Sequence, residues 1–314
     1  MAPAAGTVDA AMEPLPRRRT GFDYPADLSG PWSPRQPEFS AVADGLSLLM
    51  PHLEPLVVRT VVEAVNGGDV GDAALAERAR GWARQETTHQ LEHRRFNDLL
   101  VAAVPGLGRV DRAAARVTRW LSRRNLRFRL AFTTGFEAVA YAVARWVEPR
   151  IQELLTGAQP AVATMFLWHL AEEVEHKDLA HEVHEDVVGG PAGHGPMRRC
   201  GGGFLALGVI GPLTLAGALV VLAAGRRLRH PSTWWALTRW SVSFAFEALA
   251  GVGVLASRSH HPRQMADPLW YRQFLRGTDP ATGEVTLWQP PAATDRDQPG
   301  QGRPRRASKG PVTS

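Results

Sequence analysis

The chain has 314 residues, 44% hydrophobic and 21% charged, with a net charge of +5 and one cysteine, Cys200. That length buries a substantial core, as one large domain or two smaller ones. One thiol excludes an internal disulfide framework and any zinc site built on several thiolates, and it fits a reducing compartment.

Residues 1–38 are rich in Pro, Gly and Arg and read as mostly unstructured. They lack the basic start and apolar run of a secretory signal. Helical patterning follows. The first helix is expected over Phe39–Val65, ending at Asn66-Gly67-Gly68, and the second over Asp72–Ala103, ending at Pro105-Gly106. A third region spans Val110–Leu155, breaks near Leu126 to Phe128 and ends at Thr156-Gly157. A fourth opens near Pro160 and ends at Gly189-Gly190-Pro191. Each stop carries the Gly or Pro that favours a helix end. No period-2 strand series and no internal repeat is present. The expectation is an all-α chain with an antiparallel four-helix bundle over residues 39–190. Arg112, Arg116, Arg119, Arg123 and Arg127 follow helical spacing and read as a solvated face. No recognition motif or aromatic platform accompanies them, so nucleic acid is not an expected partner.

Composition then shifts. Residues 201–225 carry no charge and are long enough to cross a bilayer. Arg198 and Arg199 precede them and Arg226, Arg227 and Arg229 follow, which leaves no positive-inside asymmetry. A second apolar segment runs from Ser241 to Ser257 around Glu247, with Trp234, Trp235 and Trp240 ahead of it. Residues 191–275 are therefore expected to pack on the bundle, to form a homodimer contact, or to rest on or in a membrane. Residues 276–314 read as a mostly unstructured basic tail. The expected location is cytoplasmic, with attachment to the inner face of the membrane left open.

The chemistry is concentrated in two stretches. On a helix, positions i and i+3 or i+4 share a face. In RQETTHQLEHRRFND, Glu86 and His89 form an E-x-x-H pair and His93 stands one turn on. In WHLAEEVEHKDLAHEVHED, Glu173 and His176 form a second pair and His169 stands one turn earlier. One such pair is unremarkable in a chain of this composition. Two, each on a long helix and each extended by a histidine, are not. A dimetal carboxylate bundle of the ferritin-like kind needs two E-x-x-H helices and one Glu from each of two others. Glu137, the only acidic residue between Asp111 and Glu148, and Glu54, ahead of Glu63, fill those places. The expected ligands are Glu54, Glu86, His89, Glu137, Glu173 and His176, with His93 and His169 as additional candidates. Glu172 and Glu175 project from other faces and read as solvated or as partners of a ligand histidine. Asp178 is another candidate partner of a ligand histidine. His181 and His184 miss the zincin spacing and receive no role.

At these residues the chain resembles the bacterial family of predicted metal-dependent hydrolases, a ferritin-like group. The resemblance is carried by PHLE around Glu54, QETTHQLEHRRFN, FEAVAY around Glu137 and WHLAEEVEHKDLAHEV. It covers roughly residues 20–275, and it implies a metal site. Four carboxylates and two imidazoles suit iron or manganese ahead of zinc. The favoured expectation is a pair of metal ions, Fe/Fe or Fe/Mn, that uses dioxygen to oxidise a small or hydrophobic substrate. The extra histidines resemble those of arylamine N-oxygenases, and an external protein would donate electrons, since no dinucleotide fingerprint is present. The alternatives are hydrolysis by a metal-activated water and metal binding without turnover.

Overall fold

A computed structural model describes residues 15–188, 196–256 and 261–289. The Gly189-Gly190-Pro191 stop, the side chains of Arg198, Arg199 and Cys200, and the chain ends 1–14 and 290–314 lie outside the described residues.

The protein is all-α; among the described residues the only β features are two isolated bridges. The expected first helix is in fact two, α1 (Pro37–Ser47) and α2 (Met50–Asn66), bent by 43° at the break. The cause is Pro51, which has no N–H to bond back to Ser47 and whose ring crowds the preceding turn. Next comes α3 (Ala73–Ala103), one unbroken rod. Asp72 caps it, accepting from the Ala74 and Leu75 N–H groups at 2.8 and 3.2 Å.

The third region divides as expected, into α4 (Leu107–Ser122) and α5 (Leu126–Val147), with Asn125 capping α5 at the Phe128 N–H. Pro149 then breaks the chain into a 3₁₀ turn and the short α6 (Ile151–Leu155). The expected fourth helix is split into α7 (Pro160–His176) and α8 (Leu179–Val188). After them come α9 (Pro196–Ala224), α10 (Pro231–Ala256) and α11 (Leu269–Arg276).

Helices α2, α3, α7 and α5 touch in a closed ring, each meeting the next. Trp82, Phe96, Phe132, Tyr141 and Trp168 are its largest buried side chains. The arginines of α4 are exposed, as their spacing predicts. Apolar α9 lies against α1 and α5. Its backbone approaches α1 so closely that a Cβ on Gly217 would sit 2.7 Å from the Gly45 Cα, which is where glycine is required. The outward sides of α9 and α10 leave Phe204, Trp235 and Phe246 more than half exposed. Among the described residues, one helix, Gly201–Ala224, is long and apolar enough to cross a membrane, by length and composition only.

Residues 15–36 form no helix, yet they are packed. Phe22, Leu28 and Trp32 are buried, and Trp32 stacks on Phe166 with ring centroids 5.2 Å apart. The expectation of a mostly unstructured N-terminus therefore does not extend to this strap. On the opposite side of the sequence, Trp270 and Phe274 of α11 join the same core, and Arg19 N–H donates to Gly283 at 2.7 Å.

Candidate metal centre

Four helices of the ring supply the expected ligands. Glu54 comes from α2; Glu86, His89 and His93 from α3; Glu137 from α5; His169, Glu173 and His176 from α7. All eight are buried, and His169, at 7%, is the least covered. Their ligand-type atoms form overlapping sets within 4.8 Å: Glu86, Glu137, Glu173 and His176; His89, His169 and Glu173; Glu54, Glu86 and His89; and Glu54, His93 and His169. Glu63, the weaker competitor for the α2 position, is elsewhere. It is exposed and pairs with Arg129 at 2.7 Å.

Hydrogen bonding shows which atoms face inward. His89 Nε2 donates to Glu172 Oε2 at 2.9 Å. The side-chain amide of Gln85 donates to the Pro16 carbonyl at 2.9 Å, so its oxygen is free to accept from His176 Nε2 at 2.8 Å. Each imidazole thus spends its Nε2–H on a partner behind it and turns Nδ1 toward the carboxylates. Such outer partners fix the tautomer and ring orientation of a ligating histidine. Neither Nδ1 has a hydrogen-bond partner, nor do both oxygens of Glu54, Glu86 and Glu137 or Oε2 of Glu173. His176 Nδ1 is 2.9 Å from Glu86 Oε1 but is not aligned as a donor to it. Bare buried oxygens of this kind cost several kcal/mol each when ionised. A divalent cation answers that cost, and the donor set, oxygen-rich with imidazole nitrogen, is one that divalent metals accept.

A second chain of hydrogen bonds sets His169. Asn97 Nδ2 donates to the Ser47 carbonyl at 2.8 Å, which leaves Asn97 Oδ1 to accept from Ser47 Oγ at 2.7 Å. The Ser47 hydroxyl proton is then spent, so His93 Nδ1, 2.7 Å away, is the donor to Ser47 Oγ. Burial holds His93 well below the usual imidazole range, so its Nε2 carries a lone pair and accepts from His169 Nδ1 at 2.5 Å. Neutral His169 therefore presents a bare Nε2 to Glu173 Oε1 at 2.9 Å and Glu54 Oε1 at 3.6 Å. Two acceptors face each other there unless a cation lies among them. This order separates the two extra candidates: His169 offers a ligand atom, whereas both nitrogens of His93 are used behind it.

The electrostatics of the cluster point the same way. Burial, reinforced by the Glu86 charge, raises Glu54 well above the usual carboxylate range; burial and the Glu173 charge do the same to Glu137. Burial also opposes ionisation of Glu173, but the imidazoles of His169 and His176 beside it hold it well below its ordinary value. Burial opposes charge on His89 as well, yet Glu172 and Glu86 push it up to about 10, and His176 is raised by Glu173 and Glu86. Without an ion, then, burial favours the protonated forms of Glu54 and Glu137, the neighbouring carboxylates favour those of His89 and His176, and metal must compete with those protons. Metal uptake at pH 7 is expected to release protons. Affinity should fall as pH falls, by about tenfold per pH unit for each proton released. Titration calorimetry in two buffers of different ionisation enthalpy checks this; uptake without proton release would contradict it.

The other acidic candidates resolve differently. Glu172 is 1% exposed and, besides His89, accepts from Trp168 Nε1 at 2.9 Å, so it is a buried partner of a ligand-type histidine. Asp178 does not reach a histidine of the cluster; it pairs with Arg78 and Arg263 at 3.3 and 2.9 Å. Arg18, Ser47, Gln85 and Asn97 were not legible as parts of the site. Their partners are distant in sequence, and no spacing rule connects them.

A family model described as predicted metal-dependent hydrolase matches residues 16–266. The chain belongs to that family. No curated protein and no solved structure matches it. The family match overturns the expectation of dioxygen-dependent oxidation and supports the hydrolytic alternative. The physical reason for the error is that paired E-x-x-H helices specify a ligand set, not a reaction. The same carboxylates and imidazoles that suit a redox pair also suit ions that only polarise water. The family's metal dependence accords with the buried sets of ligand-type atoms in this member.

Proposed function

We propose that the protein is a hydrolase in which two divalent metal ions are held by Glu54, Glu86, His89, Glu137, Glu173, His176 and His169 inside a ferritin-like four-helix bundle. The observation that carries this reading is the convergence of bare, buried ligand atoms from α2, α3, α5 and α7 into sets that share Glu86 and Glu173. Carboxylates common to neighbouring sets would let one cluster hold two ions. When bound, the ions lower the pKa of water and polarise a substrate oxygen. The chain does the rest. Glu172 and Gln85 aim His89 and His176, the Ser47–His93 chain aims His169, and the surrounding core excludes bulk water. The carboxylate-rich donor set favours iron(II) or manganese(II) ahead of zinc.

The neighbouring apolar helices α9 and α10 suit a hydrophobic substrate, and their exposed Trp234, Trp235 and Phe246 suit contact with a membrane surface.

The test is a panel of chromogenic esters, amides and phosphoesters, assayed without oxygen on metal-reconstituted protein in ¹⁸O-labelled water. Turnover that requires metal, disappears with chelator and places the label in product is the expected result. Metal-loaded protein that hydrolyses none of them, yet consumes dioxygen, would contradict it.

A further inference from the structure

The N-terminal strap places one arginine behind the cluster. The side chain of Arg18 is 3% exposed, and its Nη1 donates to Glu172 Oε1 at 2.9 Å. The same Nη1 donates to Glu175 Oε2 at 3.0 Å, and Nη2 donates to Glu175 Oε1 at 2.5 Å. Each carboxylate passes the contact inward. Glu172 uses its other oxygen, Oε2, to accept from His89. Glu175 Oε2 accepts from Gln85 Nε2 at 3.2 Å, and Gln85 Oε1 accepts from His176. The result is one continuous path of side chains, His89–Glu172–Arg18–Glu175–Gln85–His176. A residue 154 positions from Glu172 thus stands behind both E-x-x-H histidines.

We infer that Arg18 is a positioning residue that sets the orientation of His89 and His176 together, so that the strap and the metal centre order one another. The inference rests on the dimetal reading above. The chemistry suits arginine in particular. The carboxylates of buried Glu172 and part-buried Glu175 stand side by side, and a planar guanidinium can donate to both at once, whereas an ammonium is a point charge without that fork. Arg18 holds one oxygen of Glu172 and leaves the other aimed at His89. Glu172 Oε2 accepts the His89 Nε2–H and so leaves Nδ1 as the ligand atom. Without Arg18, Glu172 and Glu175 lose the donor they share, and each is free to rotate toward its remaining partners, Trp168 for Glu172 and Tyr271 for Glu175. Rotation of Glu172 releases His89, and rotation of Glu175 loosens Gln85 and with it His176. The strap is held to the same place by the Pro16 carbonyl on Gln85 and by Arg19 on Gly283, so the guanidinium is delivered by an anchored backbone. Because linkage is reciprocal, a strap that favours metal binding must itself be ordered by metal.

The experiment compares wild-type protein with Arg18→Met and Arg18→Lys by cobalt(II) titration, reading affinity by chelator competition and geometry from the visible spectrum. Loss of a partner behind a ligand histidine costs about 10–100-fold in metal affinity. Arg18→Met is expected to lose that much, with an altered cobalt spectrum and unchanged helical circular dichroism. Arg18→Lys is expected to recover only part of the affinity. Hydrogen exchange on the wild type supplies a reading that needs no variant to fold: metal loading should slow exchange in residues 15–36. Arg18→Met with affinity within twofold of wild type and an unchanged spectrum would overturn the role of Arg18. Strap exchange that ignores metal would overturn it too. Failure of the wild type to take up cobalt would instead sink the dimetal reading, and this inference with it.

Discussion

Glu173→Ala is expected to abolish tight binding of both metal ions and all metal-dependent activity. Glu173 belongs to the set with Glu86, Glu137 and His176 and to the set with His89 and His169, so its loss strips a donor from each. Loss of an outer partner alone costs about 10–100-fold in metal affinity. Loss of a carboxylate common to two sets should exceed the upper end of that range. The substitution is mild for the helix itself, since alanine has the best helix propensity. Circular dichroism should therefore stay near wild type while metal content falls. Glu63→Ala is the matched control. Glu63 is also on α2, the helix that supplies Glu54, but its side chain is 54% exposed and engaged with Arg129. It should retain its metal. Equal metal content in wild type and Glu173→Ala would remove Glu173 from the site.

Stripping the metal is expected to lower thermal stability by roughly 10 °C. The reasoning is linkage. An ion that binds only the folded chain, present at about a thousand times its dissociation constant, stabilises by about 4 kcal/mol. For a domain of this size each kcal/mol moves the midpoint by about 2–4 °C. The apo state also keeps an opposed arrangement of buried groups, with burial pushing Glu54 and Glu137 up beside a Glu173 held low. Differential scanning calorimetry before and after dialysis against chelator measures the shift. A midpoint unmoved by chelation and by metal return would show that the cluster is satisfied by its own protons.

Much of this was legible in the sequence because it depends on local rules. The stops at Asn66-Gly67-Gly68 and Pro105-Gly106 do bound helices, and the break near Leu126 is present. The eight candidate ligands meet because two E-x-x-H stripes and two isolated glutamates in apolar surroundings can be buried economically only against one another. What was missed depends on geometry that spacing does not carry. Pro51 could have been read as the break between α1 and α2, since a proline cannot continue the ladder of the helix before it. The split after His176 had no such signal. Glu172 looked like a residue of another face, and it does leave the ligand stripe, but it turns to the back of His89 rather than to water. Arg18 lay in a segment whose composition reads as unstructured, and nothing local announces that its guanidinium is buried. The reaction was misjudged for a different reason: ligand spacing reports which ions can be held, and oxidation and hydrolysis share that requirement.

The most direct measurement is anomalous diffraction from crystals of metal-loaded protein, recorded above and below the absorption edge of the metal supplied. Two anomalous peaks are predicted inside the ring of α2, α3, α5 and α7. One should be bounded by Glu86, Glu137, Glu173 and His176, the other by Glu54, His89, His169 and the shared carboxylates. His93 should stand behind His169 without touching either peak. Crystals soaked with metal that show no peak in this cluster, or peaks only on the protein surface, would contradict the account.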